Sequence, residues 1–221
     1  MTPDPRCADK RRLGEIVPPR LSPAIYGWTD RSGAWVGDRV AAPAVFVRGI
    51  FGSGGAGAAV LPAPPSVPLR IATEVVDPAP KLAPLSPWST PTLRVTVVEG
   101  DPVAVGVMFG GLPGDPASNR PNRLFCRLER GEVVEAIDPE WLRRSGQVAY
   151  RDRLPGGVPP VLGLGVDHGD LPARSAALAR AAGLEVAAFD WLIGSSAWLC
   201  CEVNSTPWLG LNWWLGYPPR P

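Results

Sequence analysis

The chain is poor in several residue types that usually carry chemistry. Of 221 residues, only Lys10 and Lys81 are lysines and only His168 is a histidine. A lone histidine with no serine or cysteine elbow beside it argues against a nucleophilic triad, and His168 reads as a surface-loop residue. The four cysteines, Cys7, Cys126, Cys200 and Cys201, are too few to frame a chain of this length with disulfides. Cys200 and Cys201 are adjacent, so in a strand they face opposite sides, which argues against a mutual disulfide or a zinc site. Neither charge dominates: 22 basic residues against 21 acidic ones leave +1, removing any general attraction to nucleic acid or membrane. There is no long uncharged apolar run and no apolar segment at the start, so the expectation is a soluble, cytoplasmic protein. No Gly-Lys-Ser/Thr occurs, which excludes a Walker phosphate loop.

What is present is proline, glycine and arginine, with 28 Pro and 25 Gly. A site usually served by lysine falls to arginine here, and the two are not equivalent. The length suits one large domain or two small ones with a substantial core. Residues 1–20 are polar and Pro-rich and read as a poorly ordered lead-in, with Lys10-Arg11-Arg12 as a solvated face. Residues 24–28 and 34–36 read as short strands around Asp30-Arg31-Ser32-Gly33. Residues 44–48 form a β-type run, followed by a glycine-rich stretch that includes Gly54 and Gly55 and by a second apolar run at 58–61. Such a hairpin can close bare backbone N–H groups over phosphates, or serve only as a flexible connector.

Beyond a Pro-rich linker at 62–68, residues 69–76 alternate as a strand that Asp77-Pro78 stops. Residues 92–98 and 103–109 form a hairpin about Glu99-Gly100-Asp101-Pro102, with Leu93, Val95 and Val97 on one face and Arg94, Thr96 and Val98 on the other. Arg94 is either a solvated strand residue or, facing a cleft, a fork for carboxylate or phosphate. Residues 123–128 and 132–137 pair about Glu129-Arg130-Gly131. Asp138 caps a short helix with Pro139 in its first turn. Asp170 caps another over 171–182, with Gly183 at its end and an apolar stripe of Leu171, Ala177, Leu178 and Ala181.

Residues 183–207 concentrate the candidate chemistry. Two apolar runs flank the turn Gly194-Ser195-Ser196, and they carry Asp190, Glu202 and Asn204. Folded as a hairpin, Asp190 falls roughly opposite Cys200 with Glu202 as its diagonal neighbour, and Glu202 and Asn204 share a face. Like charges on one sheet face destabilise the pairing, and a divalent cation between them removes the problem. Two carboxylates and an amide oxygen are hard ligands of the kind Mg2+ takes.

The spacing Asp-x11-Glu-x-Asn, with Asn204 inside Glu202-Val203-Asn204-Ser205-Thr206-Pro207, resembles the metal-binding end of ATP-grasp carboxylate–amine ligases, especially the branch that modifies ribosomal peptides and proteins. The preceding helix sequence, residues 176–184, resembles that family's helix leading into the strand. The resemblance is well defined over residues 184–207, looser over 171–182 and 93–109, and weakest in the first half. It implies an α+β, ATP-grasp-like fold: an antiparallel sheet with flanking helices plus a smaller glycine-loop β subdomain. The implied division is a poorly defined segment at 1–40, a small subdomain with glycine loop and hinge strand at 41–76, and a metal- and nucleotide-binding subdomain at 77–221. It implies ATP and Mg2+ as cofactors, with Asp190, Glu202 and Asn204 on the metal. Gly54 and Gly55 lie over the phosphates, and Arg48 stands where the family places a phosphate-contacting lysine. Glu74, Val75 and Val76 hold adenine and ribose, and Arg94 serves the acyl-phosphate; the family's acidic residue at position 92 is Thr92 here.

The implied reaction activates a substrate carboxylate as an acyl-phosphate for attack by an amine or hydroxyl. The second reading is a catalytically degenerate binding or partner protein on the same scaffold. The implied partners are a peptide, protein or small-molecule carboxylate substrate and either a second copy or a partner chain. The tryptophans at 208–214 either stack on substrate or pack on the sheet.

Overall fold

The structure, a computed structural model, describes residues 3–38, 42–52, 57–110, 113–118, 123–154 and 160–207. Residues 1–20, expected to be a loose lead-in, are folded where described. They form α1 (Pro5–Ala8), with Asp4 accepting from the Arg6 N–H as its cap, and two 3-10 segments, Lys10–Glu15 and Pro19–Leu21. Leu13, Ile16 and Val17 are buried in the main core, which is what orders the segment despite its polar composition. Its start is tied down by the Asp4 N–H donating to Ser205 Oγ and Arg6 Nη2 donating to the Ala182 carbonyl.

A first antiparallel sheet takes β1 (Ile25–Thr29), β2 (Trp35–Gly37), β3 (Val45–Gly49), β4 (Ala59–Leu61) and β5 (Arg70–Thr73) in the order β2-β1-β5-β3-β4. The two strands before residue 40 therefore belong to the same sheet as the hairpin after it. Alternation sorts the faces: Val45, Val47 and Ala72 pack with Tyr26, Trp35 and Leu61 on one side, leaving Phe46, Arg48 and Val60 on the other. β5 stops at Thr73, three residues earlier than its alternation suggests, and the Glu74 N–H donates to the Ala24 carbonyl just ahead of β1.

The second sheet holds β6 (Thr92–Val98), β7 (Asp101–Phe109), β8 (Leu124–Glu129), β9 (Glu132–Ile137), β10 (Val186–Ile193) and β11 (Trp198–Asn204), ordered β11-β10-β6-β7-β8-β9. The turns before β7 and β9 carry two positive-φ residues each, Glu99-Gly100 and Arg130-Gly131, as tight hairpins demand. Leu93, Val95, Val97, Val107, Phe189 and Trp191 fill one face completely. Between the last two hairpins lie α2 (Pro139–Ser145), with Asp138 accepting from two backbone N–H groups as its cap, and α3 (Leu171–Ala182).

α3 covers that apolar face, but not with the expected stripe. Leu171, Ser175, Ala176 and Ala179 are buried, whereas Ala177 and Ala181 are exposed. Ser175 belongs to the inner face because its hydroxyl accepts from the buried Trp191 indole N–H at 3.0 Å. Asp170, expected as the cap, makes no capping bond and pairs with Arg174 instead. Among the described residues no helix is long and apolar enough to cross a membrane.

Candidate functional site

The free face of the second sheet and the free face of the first enclose a cavity of about 290 Å3. Phe46, Arg48 and Val60 reach it from the first sheet, Thr92, Met108, Asp190, Leu192 and Glu202 from the second, and residues 73–78 run between them. This placement follows from period two. Leu93 and Val95 must enter the core, so Arg94 must point the other way, and the same holds for Asp190 between Phe189 and Trp191.

Three neighbouring strands then bring charge together. Asp190 sits opposite Arg94 on β6 and opposite Glu202 on β11. The sequence pattern placed Asp190 opposite Cys200; a β-bulge corrects this. Trp191 pairs with Cys200 and Asp190 with Glu202, leaving Cys201 as the extra residue. Strict alternation would put Cys200 and Glu202 on one face. The bulge lets fully buried Cys200 enter the core while Cys201 and Glu202 line the cavity.

Arg94 grips Asp190 with two parallel bonds, Nε to Oδ1 and Nη2 to Oδ2, each 2.7 Å. Both groups are nearly sealed, with 16% and 6% of their side-chain surface exposed, so the pair acts in a weakly screened environment. Burial opposes the Arg94 charge, but Asp190 more than offsets it and holds the guanidinium above its ordinary range. Arg123, ahead of β8, is drawn down to about 10 by burial and by the charge of Arg94. On the opposite side, Arg48 Nη2 donates to the Cys201 carbonyl at 2.6 Å, and Nη1 lies 3.7 Å from Glu202 Oε2. Burial pushes the Cys201 thiol up to about 12, which disfavours the thiolate form.

The opposite end is built from residues 74–78, which include Glu74 and Asp77, and two hydroxyl pairs. The Thr90 hydroxyl donates to the Val76 carbonyl; Thr92 Oγ1 and Ser118 Oγ lie 2.7 Å apart, and Ser86 Oγ and Ser89 Oγ 3.0 Å apart. The turn after β10 fastens this segment to the second sheet, with the Ser195 N–H donating to the Asp77 carbonyl and the Ala79 N–H to that of Ile193, each at 2.9 Å.

Of the residues singled out from sequence, Arg48, Glu74, Val75, Val76, Asp190 and Glu202 all line this one cavity. Arg94 stands behind Asp190 rather than on the wall. Asn204 is two residues beyond Glu202 and pairs with Ala188; its Oδ1 accepts from the Thr206 N–H at 2.9 Å, and it is not on the wall. Gly54, Gly55 and the tryptophans at 208–214 lie outside the described residues. Sequence reasoning missed Lys10, which enters the cavity from the N-terminal 3-10 segment, and the Thr92–Ser118 hydroxyl pair. The rarity of lysine was the only available signal for Lys10.

Among the described residues no three His, Cys, Asp or Glu side chains gather as a metal site. Asp190 and Glu202, opposed on one face, are hard oxygen donors suited to Mg2+, provided that a ligand or water supplies the remaining oxygens. No protein-family model and no curated protein matches the sequence. Among solved structures, the chain is similar to D-alanine–D-alanine ligase from Bacillus anthracis, with 11% identity, a TM-score of 0.48, and coverage of 91% of this chain and 57% of that one. The same ligase complexed with ATP gives 10%, 0.47, 91% and 56%. The ATP-grasp ligase PsnB complexed with a minimal precursor gives 10%, 0.44, 92% and 55%. The chain thus spans a little over half the length of the structures it matches.

Proposed function

We propose that the chain binds ATP with Mg2+ between its two sheets and activates a substrate carboxylate as an acyl-phosphate for attack by an amine or hydroxyl. One observation carries this reading: Arg48, Glu74, Val75, Val76, Asp190 and Glu202, which the sequence resemblance singled out at positions far apart in the chain, line a single cavity. Phe46, Val60, Val75 and Leu192 offer apolar walls for a nucleobase at the end where residues 74–76 pass. Arg48, Asp190 and Glu202 provide the charged end for its phosphates. Asp190 and Glu202 would hold Mg2+, which supplies charge neutralisation between phosphate oxygens.

Arg94 uses two of its five N–H donors on Asp190. In this reading Arg94, standing behind Asp190, serves the transfer by fixing that carboxylate and by adding a positive charge behind it, which favours the developing negative charge. Such transfer needs positioned cations rather than a protein nucleophile, in keeping with a protonated Cys201 on the wall. Peptide, protein and small-molecule carboxylates all suit the acceptor role; the PsnB structure holds a precursor.

The test variant is Glu202→Gln, since Glu202 meets Arg48 only at 3.7 Å and its loss strips no bidentate pair. Mg-dependent ATP turnover should fall at least about a hundredfold while thermal unfolding stays cooperative. Turnover at the wild-type rate would remove the proposal. The second reading, a binding protein without catalysis, is favoured by both Asp190 oxygens being engaged by Arg94. It predicts saturable ATP binding by calorimetry with no phosphate release in any substrate mixture.

A further inference from the structure

The two sheets are joined at one end of the cavity and clasped at the other. Residues 73–78 form the join. Phe46 pairs with Thr73 whereas Gly49 pairs with Arg70, so Ile50, Phe51 and Gly52, which follow β3, lie at the end of the first sheet away from it. There the N-terminal segment arrives. It belongs to the body of the second sheet: Leu13, Ile16 and Val17 sit in the main core, the Asp4 N–H donates to Ser205 Oγ, and Arg6 Nη2 donates to the Ala182 carbonyl at the end of α3. Its 3-10 turn nevertheless reaches across to the first sheet. The Lys10 N–H donates to the Ile50 carbonyl at 3.2 Å and its Nζ to the Gly52 carbonyl at 2.6 Å. The Arg11 guanidinium lies 5.8 Å from the centroid of the Trp28 ring on β1 and 5.7 Å from that of Phe51.

Asp9 sets Arg11 in place. Arg11 Nε donates to Asp9 Oδ1 at 2.9 Å and Nη2 to Oδ2, and the Arg11 backbone N–H donates to the same Oδ1. A guanidinium held by two parallel bonds does not turn, and its charge stays over the rings, whose faces attract it. Phe51 needs such a partner. It is 52% exposed and lines the cavity, and Gly52 behind it, with φ of 91°, has nothing within 4 Å of where a Cβ would stand. Packing alone does not fix a ring so exposed beside so free a backbone. The join at 73–78 is covalent and is fastened further by the bonds of Ser195 to Asp77 and of Ala79 to Ile193, whereas the clasp is noncovalent. Movement of one sheet against the other therefore turns about the join and opens at the clasp.

We propose that Arg11 is a positioning residue that gates the cavity: through Phe51 and Trp28 it holds the far end of the first sheet on the N-terminal segment, and the cavity opens when this clasp lets go. The gate serves whatever ligand the cavity takes, and only its kinetic test rests on the nucleotide reading above.

Amide hydrogen exchange of the wild type, Arg11→Met and Arg11→Lys tests this. Arg11→Met should speed exchange of the Lys10 amide, whose bond crosses the clasp, and of residues 49–52 by about tenfold, and leave α3 and β10 within about twofold. Arg11→Lys keeps a cation for the rings but loses the fork to Asp9, and should fall between. Unchanged exchange at Lys10 and at 49–52 in Arg11→Met overturns the proposal. So does a rise of equal size throughout the chain, the mark of general destabilisation. Phe51→Ala leaves Arg11 and Asp9 intact and should reproduce the Arg11→Met pattern; wild-type exchange in Phe51→Ala overturns the gate, and this variant decides the matter if Arg11→Met does not fold. On rapid mixing with Mg2+-ATP, Arg11→Met should raise the association and dissociation rate constants together, each by about threefold or more, with affinity kept within about twofold. A change confined to dissociation would make Arg11 a ligand contact and overturn its role as a gate. A wild type that binds no ATP sinks the nucleotide reading and leaves hydrogen exchange to judge the clasp.

Discussion

At the level of single residues, the cavity holds two buried charges whose removal should move stability in opposite directions. Asp190 is the partner of Arg94 in a sealed two-bond pair. Asp190→Asn leaves the guanidinium buried beside a neutral amide that matches only part of its fork, and we expect a loss of about 3–5 kcal/mol in urea unfolding. Among the described residues Lys10 has no such partner, and burial lowers its pKa. Below both the folded and unfolded pKa values the full burial cost is present. Between them the unfolded chain binds more protons than the folded one, so stability rises with pH through the window just under the ordinary lysine range. Lys10→Met removes both cost and slope, and should melt at or above the wild type at neutral pH. A Lys10→Met protein clearly less stable than wild type, or an Asp190→Asn protein equal to it, would show the charges to be balanced otherwise. For this reason Asp190→Asn alone is a poor probe of catalysis.

These residues also show where sequence was readable. Arg94 and Asp190 could be assigned to the cavity face because alternation is local: one buried apolar neighbour on each side dictates the direction of the residue between. Glu74, Val75 and Val76 came from the resemblance to a hinge strand, although the strand itself ends before them at Thr73. Lys10 was opaque, because its burial depends on Leu13, Ile16 and Val17 docking on a core made almost entirely of later residues.

At the level of elements, the hairpin of β10 and β11 carries the structural decisions that local patterns hide. Its register slips by one at Cys201, a choice made by the packing of Cys200 and not by turn chemistry. The face of α3 was misread for a similar reason, since buried Ser175 is tolerated only through the Trp191 indole. The turn of this hairpin is also a fastening. A Cβ on Gly194 would stand 2.7 Å from the Ala197 carbonyl and 2.8 Å from Val76 Cγ1. Gly194→Ala must therefore push the 76–79 segment off the second sheet, and should cost about 1–3 kcal/mol by chemical denaturation. Gly14→Ala is the matched control, because nothing lies within 4 Å of its added Cβ; it should be neutral or stabilise by up to about 1 kcal/mol. Equal stability of the two variants would mean that the turn does not hold the segment.

At the level of the whole molecule, the net charge of +1 gives no long-range field, so the electrostatics of recognition are confined to the cavity. There, Asp190 and Glu202 face the three cations Lys10, Arg48 and Arg94, while the carboxylates of Glu74 and Asp77 belong to the other end. That balance decides the order in which ligands can enter. A bare divalent cation would approach two carboxylates already neutralised by fixed cations, and every added positive charge in a weakly screened space raises the repulsion. A polyphosphate does the reverse: it relieves Lys10 and Arg48, and only then leaves room for a cation between its oxygens and the carboxylates. Mg2+ alone, titrated into the free protein, should give no saturable heat at millimolar concentration. With ATP present, Mg2+ should bind saturably, and Glu202→Gln should weaken that second step more than the binding of ATP itself. Saturable Mg2+ binding to the free protein, with equal affinity whether or not ATP is present, would mean that the carboxylates form a preset cation site and that the surrounding cations do not control access to it.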